Sequence, residues 1–223
     1  MIKNISVLIP SYNEARTIGH IVAELVRKGF TVYVVDDGSS DDTAGIAHAG
    51  GAVVVKHRKN MGKGASLREG LKHVVKKRYD AVIIMDGDGQ HLASDIENFT
   101  EKMEATGADI VIGNRMLDVS SMPRERKYTN RFMSYLISLI SGQRVPDSQC
   151  GYRLIKRGVL EKIRLEASNY EIESEMIIRA SRAGFRIESV PIKTIYRDEK
   201  SRVNPVVDTF RFIVFVVKII FLR

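Results

Sequence analysis

Two aspartates, at positions 86 and 88, carry the clearest chemistry in this sequence. They stand in Met85-Asp86-Gly87-Asp88-Gly89-Gln90-His91, directly after Ala81-Val82-Ile83-Ile84. That short, continuous and partly β-branched apolar run predicts a buried strand of a parallel sheet. In an extended segment, residues i and i+2 project to the same side, so both carboxylates can offer oxygens to one ion. The glycines let backbone and ligand come close. Hard oxygen ligands of this kind suit Mg²⁺ or Mn²⁺, which keep some water and take further ligands from a substrate's phosphates. Taken alone, the stretch reads equally as a solvated turn, since Asp-Gly is common turn chemistry.

The elements that must hold this pair follow from the apolar pattern. Strands are predicted over Ile5–Ile9 (stopped by Pro10), Thr31–Val35, Ala52–Lys56, Ala81–Ile84 and Asp109–Ile112. Between them lie a helix with Ile18, Ile21, Val22, Leu25 and Val26 on one face and a short helix after the polar run Asp36–Thr43. Asn60-Met61-Gly62-Lys63-Gly64 opens a third helix, and a fourth covers about Ser94 to Ala105. This alternation predicts an α/β fold, a mostly parallel sheet with helices on both faces and ligands outside the carboxyl ends of its strands. Pro10–Glu14, Asp36–Asp37 and Asp86–Asp88 all fall at such ends. Three polar loops on one crevice favour the ion over the turn.

Beyond Arg115 the pattern changes. A helix over Arg124–Gly142 begins with Arg124, Arg126, Lys127 and Arg131 and carries Phe132, Tyr135, Leu136 and Leu139. A turn and strand (Asp147–Ile155), a short helix (Lys156–Ile163), a helix (Glu171–Ala183) and two short strands around Pro191 follow. The last segment, Thr209–Leu222, is apolar nearly all round. It is too short for the ~18–20 residues of a membrane span but suits the headgroup boundary, or packing on a core or a second copy. The basic, aromatic start of the Arg124 helix makes a second surface element.

Composition narrows the partners. A hydrophobic share of 44% with 28% charged residues describes a globular chain, and a net charge of +8 favours an anionic partner. Nucleic acid is not expected, because no recognised binding motif occurs and convergent acidic loops would repel phosphate without an intervening metal. The lone Cys150 excludes an intrachain disulfide and is expected to pack. The N-terminus shows no signal-peptide pattern, so the expected location is the cytoplasm, peripheral on the inner face of the cell membrane. Neither Gly62-Lys63-Gly64 nor Gly87-Asp88-Gly89 completes a Walker or dinucleotide fingerprint.

Several motifs recur in a fixed order: Ile9-Pro10-Ser11-Tyr12-Asn13-Glu14, Val34-Val35-Asp36-Asp37-Gly38-Ser39, Asn60–Gly64, Asp86–His91, Gly113-Asn114-Arg115, Asn130-Arg131, Asp147–Arg153, and Arg197 with Ser201-Arg202. As a set they resemble the family 2 glycosyltransferases of the GT-A fold. They are most similar to the polyprenyl-phosphate branch typified by dolichol-phosphate mannose synthase and the dolichyl-phosphate glucosyltransferases. Gly89 departs from the larger residue of many mannose synthases, which leaves base and sugar open.

The resemblance implies a metal-dependent, inverting transfer of mannose or glucose from a GDP- or UDP-sugar to a polyprenyl phosphate at the membrane surface. It implies a GT-A domain over residues 1–205, with a nucleotide-sugar half (1–115) and an acceptor half (116–205), followed by the apolar helix 206–223. It adds Gln90 to Asp86 and Asp88 as a metal or phosphate contact, and assigns Pro10, Tyr12, Asn13, Glu14 and Asp37 to base and ribose. Lys63 is expected over the phosphates. A lipid phosphate is already an oxyanion and needs positive groups to hold it, so Arg115, Arg131 and Arg202 are the catalytic candidates alongside Asp88, with Arg153, Arg197 and Ser201 next. Asp147 and Glu175 are read either in an acceptor-binding or base role or as structural ion pairs. The rival function, transfer to a sugar or protein hydroxyl, requires a general base.

Overall fold

The computed structural model describes residues 2, 4–119, 122–193, 195 and 205–221. Seven strands form one sheet: β1 (Ile5–Ser11), β2 (Thr31–Asp36), β3 (Val53–Lys56), β4 (Ala81–Ile84), β5 (Ile110–Asn114), β6 (Arg153–Lys156) and β7 (Ile187–Pro191). Their spatial order is β3-β2-β1-β4-β6-β5-β7. β3, β2, β1 and β4 are mutually parallel, β6 runs antiparallel between β4 and β5, and β7 is parallel to β5. Strands that are apolar without alternation, such as β4, are covered on both faces, as that pattern requires.

Helices α1 (Ile18–Arg27), α2 (Thr43–Ala49), α3 (Lys63–Lys76) and α4 (Ile96–Thr106) return the chain between the early strands. Each turns one apolar stripe inward; α1 buries Ile18, Ile21, Val22 and Leu25. Later come α5 (Arg124–Ser141), α6 (Arg157–Lys162), α7 (Glu171–Arg182) and α8 (Pro205–Phe221). One face of α8 is fastened: Phe212 and Ile219 are buried, and the Arg182 guanidinium donates to the Ile219 carbonyl. Ile213 and Val217 on the same helix stay exposed. No helix among the described residues is long and apolar enough to cross a membrane.

Two expected boundaries change. Pro10 lies inside β1, not after it. The β4 side of β1 has no ladder partner beyond Leu8, so the missing proline N–H is not demanded there. Around Pro191 there is one strand, not two. Pro191 is the last residue of β7, an edge strand whose only partner among the described residues is β5, the setting in which proline is tolerated.

Candidate active site

β4 delivers Asp86 and Asp88 to the carboxyl end of the parallel strands, beside the ends of β1 and β2. Glycine keeps the turn between them clear of its neighbours. A Cβ on Gly87 would stand 2.6 Å from Ser11 Oγ, and the Gly87 carbonyl accepts a 2.6 Å hydrogen bond from Thr17 Oγ1 at the start of α1. From the other side Gly151 passes so close that a Cβ there would lie 2.5 Å from Asp86 Oδ2. The second half of the chain therefore forms one wall around the first carboxylate.

The two carboxylates differ in electrostatic state. Burial would raise the Asp86 carboxyl, but the Lys63 ammonium and His91 outweigh it and hold Asp86 well below the usual carboxylate range. Asp88 is pushed up, first by burial and then by the neighbouring Asp86 charge, although its Oδ1 accepts the Gln90 backbone N–H at 3.0 Å. Lys63 Nζ lies 2.6 Å from both Asp86 Oδ1 and Glu173 Oε1. Those carboxylates overcome its burial and raise its pKa. His91 is buried, stacked on Tyr152 with ring centroids 4.9 Å apart, and its Nε2 is 3.8 Å from Asp86 Oδ2.

These residues fit a divalent cation. An ammonium already stands on Asp86, and a cation would relieve the like-charge repulsion that raises Asp88. No group of three His, Cys, Asp or Glu among the described residues is arranged to hold a metal. The remaining ligands would come from water or from a phosphate, as Mg²⁺ prefers. Gln90 is half-buried beside the pair, and its backbone carbonyl accepts the Ile195 N–H.

Asp37 is nearly buried and organises the glycine-rich loop. Its Oδ1 accepts the Met61 N–H and meets His57 Nδ1 at 2.7 Å, while its Oδ2 accepts the Gly62 N–H at 2.8 Å. Gly62 has φ +94, a left-handed geometry open to glycine. Pro10, Tyr12, Asn13 and Glu14 line the neighbouring turn. Asn13 (φ 55) accepts the Ser40 N–H through Oδ1, and the Glu14 N–H donates to Thr43 Oγ1. The crevice thus gathers Pro10–Glu14, Asp37, Lys63, Asp86, Asp88 and Gln90.

The acceptor half sorts differently. Arg115 grips Asp147 bidentately, Nε to Oδ2 at 2.7 Å and Nη2 to Oδ1 at 2.9 Å, which closes the loop after β5 onto the loop before β6. Arg153 is 1% exposed, and its guanidinium donates to the carbonyls of Cys150, Glu173 and Ser148. The expected acceptor contact at Arg153 gives way to a framework role, because its guanidinium is buried in the core and turned onto those carbonyls. Glu175 makes the contacts of the second reading given for it, a structural ion pair. It accepts the backbone N–H groups of Glu166 and Ala167 and pairs with Arg179 at 2.7 Å, holding the strap before α7 in place. Arg131 is exposed on α5. Arg197, Ser201 and Arg202 lie outside the described residues.

The sequence reading missed Glu173, Lys63's second carboxylate partner, and His57, which braces Asp37. Glu173 sits among Glu171 and Glu175, and nothing in that run distinguishes it. Only the crossing of residues 167–169 over the start of α3 does so: the Ala65 N–H donates to the Ser168 carbonyl.

The family model described as Glycosyl transferase family 2 matches residues 6–164. A UDP-N-acetylglucosamine–dolichyl-phosphate N-acetylglucosaminyltransferase of Methanococcus voltae is 31% identical, over 88% of this chain and 87% of its own. A polyprenol monophosphomannose synthase of Mycolicibacterium smegmatis is 31% identical, over 86% and 77%. Among solved structures, glucosyl-3-phosphoglycerate synthase of Mycobacterium tuberculosis in complex with Mg²⁺ and UDP superposes with a TM-score of 0.70 at 21% identity, covering 97% of this chain and 78% of that one. That likeness is one of fold, of the GT-A kind.

Proposed function

Because the chain belongs to glycosyl transferase family 2, we propose that it moves a hexose from a UDP- or GDP-sugar to a polyprenyl phosphate at a membrane surface. The observation that carries the donor side is the Asp86/Asp88 pair at the end of β4, ringed by the β1, β2 and α3 loops. Asp86 and Asp88, with Gln90 beside them, would hold Mg²⁺ or Mn²⁺. The cation, when bound, neutralises charge developing on the departing diphosphate. Pro10–Glu14 and the loop that Asp37 organises frame the nucleoside.

Two relatives named for dolichyl- or polyprenyl-phosphate substrates, each aligned over more than four fifths of this chain, support the acceptor. The outer face of α5 supports it as well. Tyr128, Phe132, Tyr135 and Leu139 recur at helical spacing and each is more than half exposed, beside the basic Arg124, Arg126, Lys127 and Arg131. An apolar stripe edged with cations suits an anionic bilayer. A phosphate oxyanion attacks the anomeric carbon without a general base, and a single displacement inverts configuration. The hydroxyl-acceptor rival needs that base. Asp147 is locked to Arg115 and Glu175 to the strap, so neither carboxylate is free for the task.

The test is a panel of UDP- and GDP-linked glucose, mannose and N-acetylglucosamine, incubated with polyprenyl phosphate and Mg²⁺ or Mn²⁺, with the product's anomeric configuration read by NMR. Inverted glycosyl phosphate with at least one donor is expected. Transfer to simple sugar hydroxyls with none to the lipid would overturn the acceptor, and a retained configuration would overturn the single displacement.

A further inference from the structure

Lys63 places an ammonium where the chemistry of the site calls for a metal. The root of its side chain is fixed. Asp37 accepts the N–H groups of Met61 and Gly62, and Gly62 and Gly64 fit so tightly against Ser168 and Ala167 that a Cβ on either would lie 2.5 Å from a carbonyl oxygen. The long methylene stem beyond that root has rotatable bonds and can swing. Its tip sits between Asp86 and Glu173, with the Tyr170 ring 5.9 Å away.

An ammonium and a divalent cation at Asp86 Oδ1 repel each other, so each weakens the other's hold on that oxygen. A Mg²⁺ ion requires an oxygen at about 2.0–2.1 Å, and the ammonium lies 2.6 Å from that same oxygen. Whichever cation holds Asp86 repels the other. A donor diphosphate would give the displaced ammonium a new anion, while Glu173 keeps the lysine beside the site. Resting on the reading of Asp86 and Asp88 as cation ligands, we propose that Lys63 is an internal competitor for the metal. It occupies Asp86 while the donor is absent and moves to the diphosphate when metal and nucleotide bind together. The protein without nucleotide then takes up metal poorly, and each of the two ligands strengthens binding of the other.

The test is Mn²⁺ binding, followed by electron paramagnetic resonance, for the wild-type chain and Lys63→Met, with and without UDP or GDP. Circular dichroism checks the fold. Without nucleotide, Lys63→Met should bind Mn²⁺ at least about tenfold more tightly, and the further tightening given by nucleotide should shrink by a similar factor. Equal or weaker Mn²⁺ binding by a folded Lys63→Met protein overturns the proposal and leaves the cation reading intact. Failure of both proteins to bind Mn²⁺ under any condition overturns both. A second measurement on the wild-type chain removes dependence on that variant's folding. Amine acylation read by mass spectrometry should find Lys63 protected alone, reactive at saturating Mn²⁺, and protected again when nucleotide is added. Reactivity that Mn²⁺ leaves unchanged also overturns the proposal.

Discussion

Up to Arg115, Asp86 and Asp88 face a crevice at the strand ends, on a loop shaped by glycine, while the buried Asp37 braces the glycine-rich loop beside them. After Arg115, the charged residues with equally conspicuous sequence settings turn inward. Arg153 caps three carbonyls in the core, Asp147 and Arg115 tie two loops, and Glu175 pins a strap. The exposed chemistry of that half lies instead on α5, where apolar and basic side chains share one surface. A polar residue in a motif is therefore not by itself a ligand contact. Its neighbours decide whether its donors and acceptors are already taken.

The sharpest way to break this contrast is to exchange stability for activity. Arg153→Met removes the guanidinium that ties three buried carbonyls together, at about 1–3 kcal/mol for each group left unpaired. We expect several kcal/mol lost in urea unfolding; a loss under about 1 kcal/mol would return Arg153 to the candidates for ligand binding. Asp88→Ala should do the reverse. Turnover should fall by at least about a hundredfold, the scale for removing one stabiliser of developing charge, with an unchanged unfolding midpoint. Equal activity would remove the pair from the cation site.

A third test addresses α5. The double variant Phe132→Ser with Tyr135→Ser should lose at least about tenfold in partitioning to anionic liposomes, since each buried aromatic contributes roughly 1.5–3 kcal/mol. Activity on a short-chain, water-soluble lipid phosphate should change little. Unaltered partitioning would place the membrane contact elsewhere.

The smallest effect concerns pH. Asp88 is raised above the ordinary ~3.9 of an aspartate, so it holds its proton to higher pH than a free carboxylate. A metal must displace that proton. Mn²⁺ affinity should therefore fall about twofold by the time pH drops to Asp88's value, and by at most about tenfold per unit below it. Asp86, shifted the other way, stays ionised throughout that range. An affinity that starts to fall only where an ordinary carboxylate would titrate would mean that Asp88 is not the ligand that titrates.

Strand periodicity made most of the sheet readable before any coordinates, because buried parallel strands carry continuous apolar runs and their ends collect the polar loops. Position in the sheet was not readable. Nothing in Arg153–Lys156 announces that this segment inserts antiparallel between β4 and β5, since its apolar content resembles that of its neighbours. Asp86, Asp88 and Lys63 were legible as a group because glycines bracket them. The roles of Arg153 and Glu175 were not, because a guanidinium that caps carbonyls and one that grips a phosphate look alike in sequence. Glu173 needed the crossing of two distant segments to acquire its partner.

The insertion of β6 also bears on how the chain is made. β4 and β5 follow one another in the sequence but do not touch in the sheet, and the gap between them is filled by residues 153–156. As the polypeptide emerges, β1 to β4 can pair with partners already synthesised, whereas β5 must wait for β6 before it has an inner neighbour. Long-separation pairings of this kind are formed late and slowly. Until Lys156 is available, the exposed edge of β4 is a site for wrong pairing between nascent chains. The carboxylate pair, two and four residues past the end of β4, acquires its second wall only when the sheet closes, so a partly synthesised chain has the ligands without the pocket.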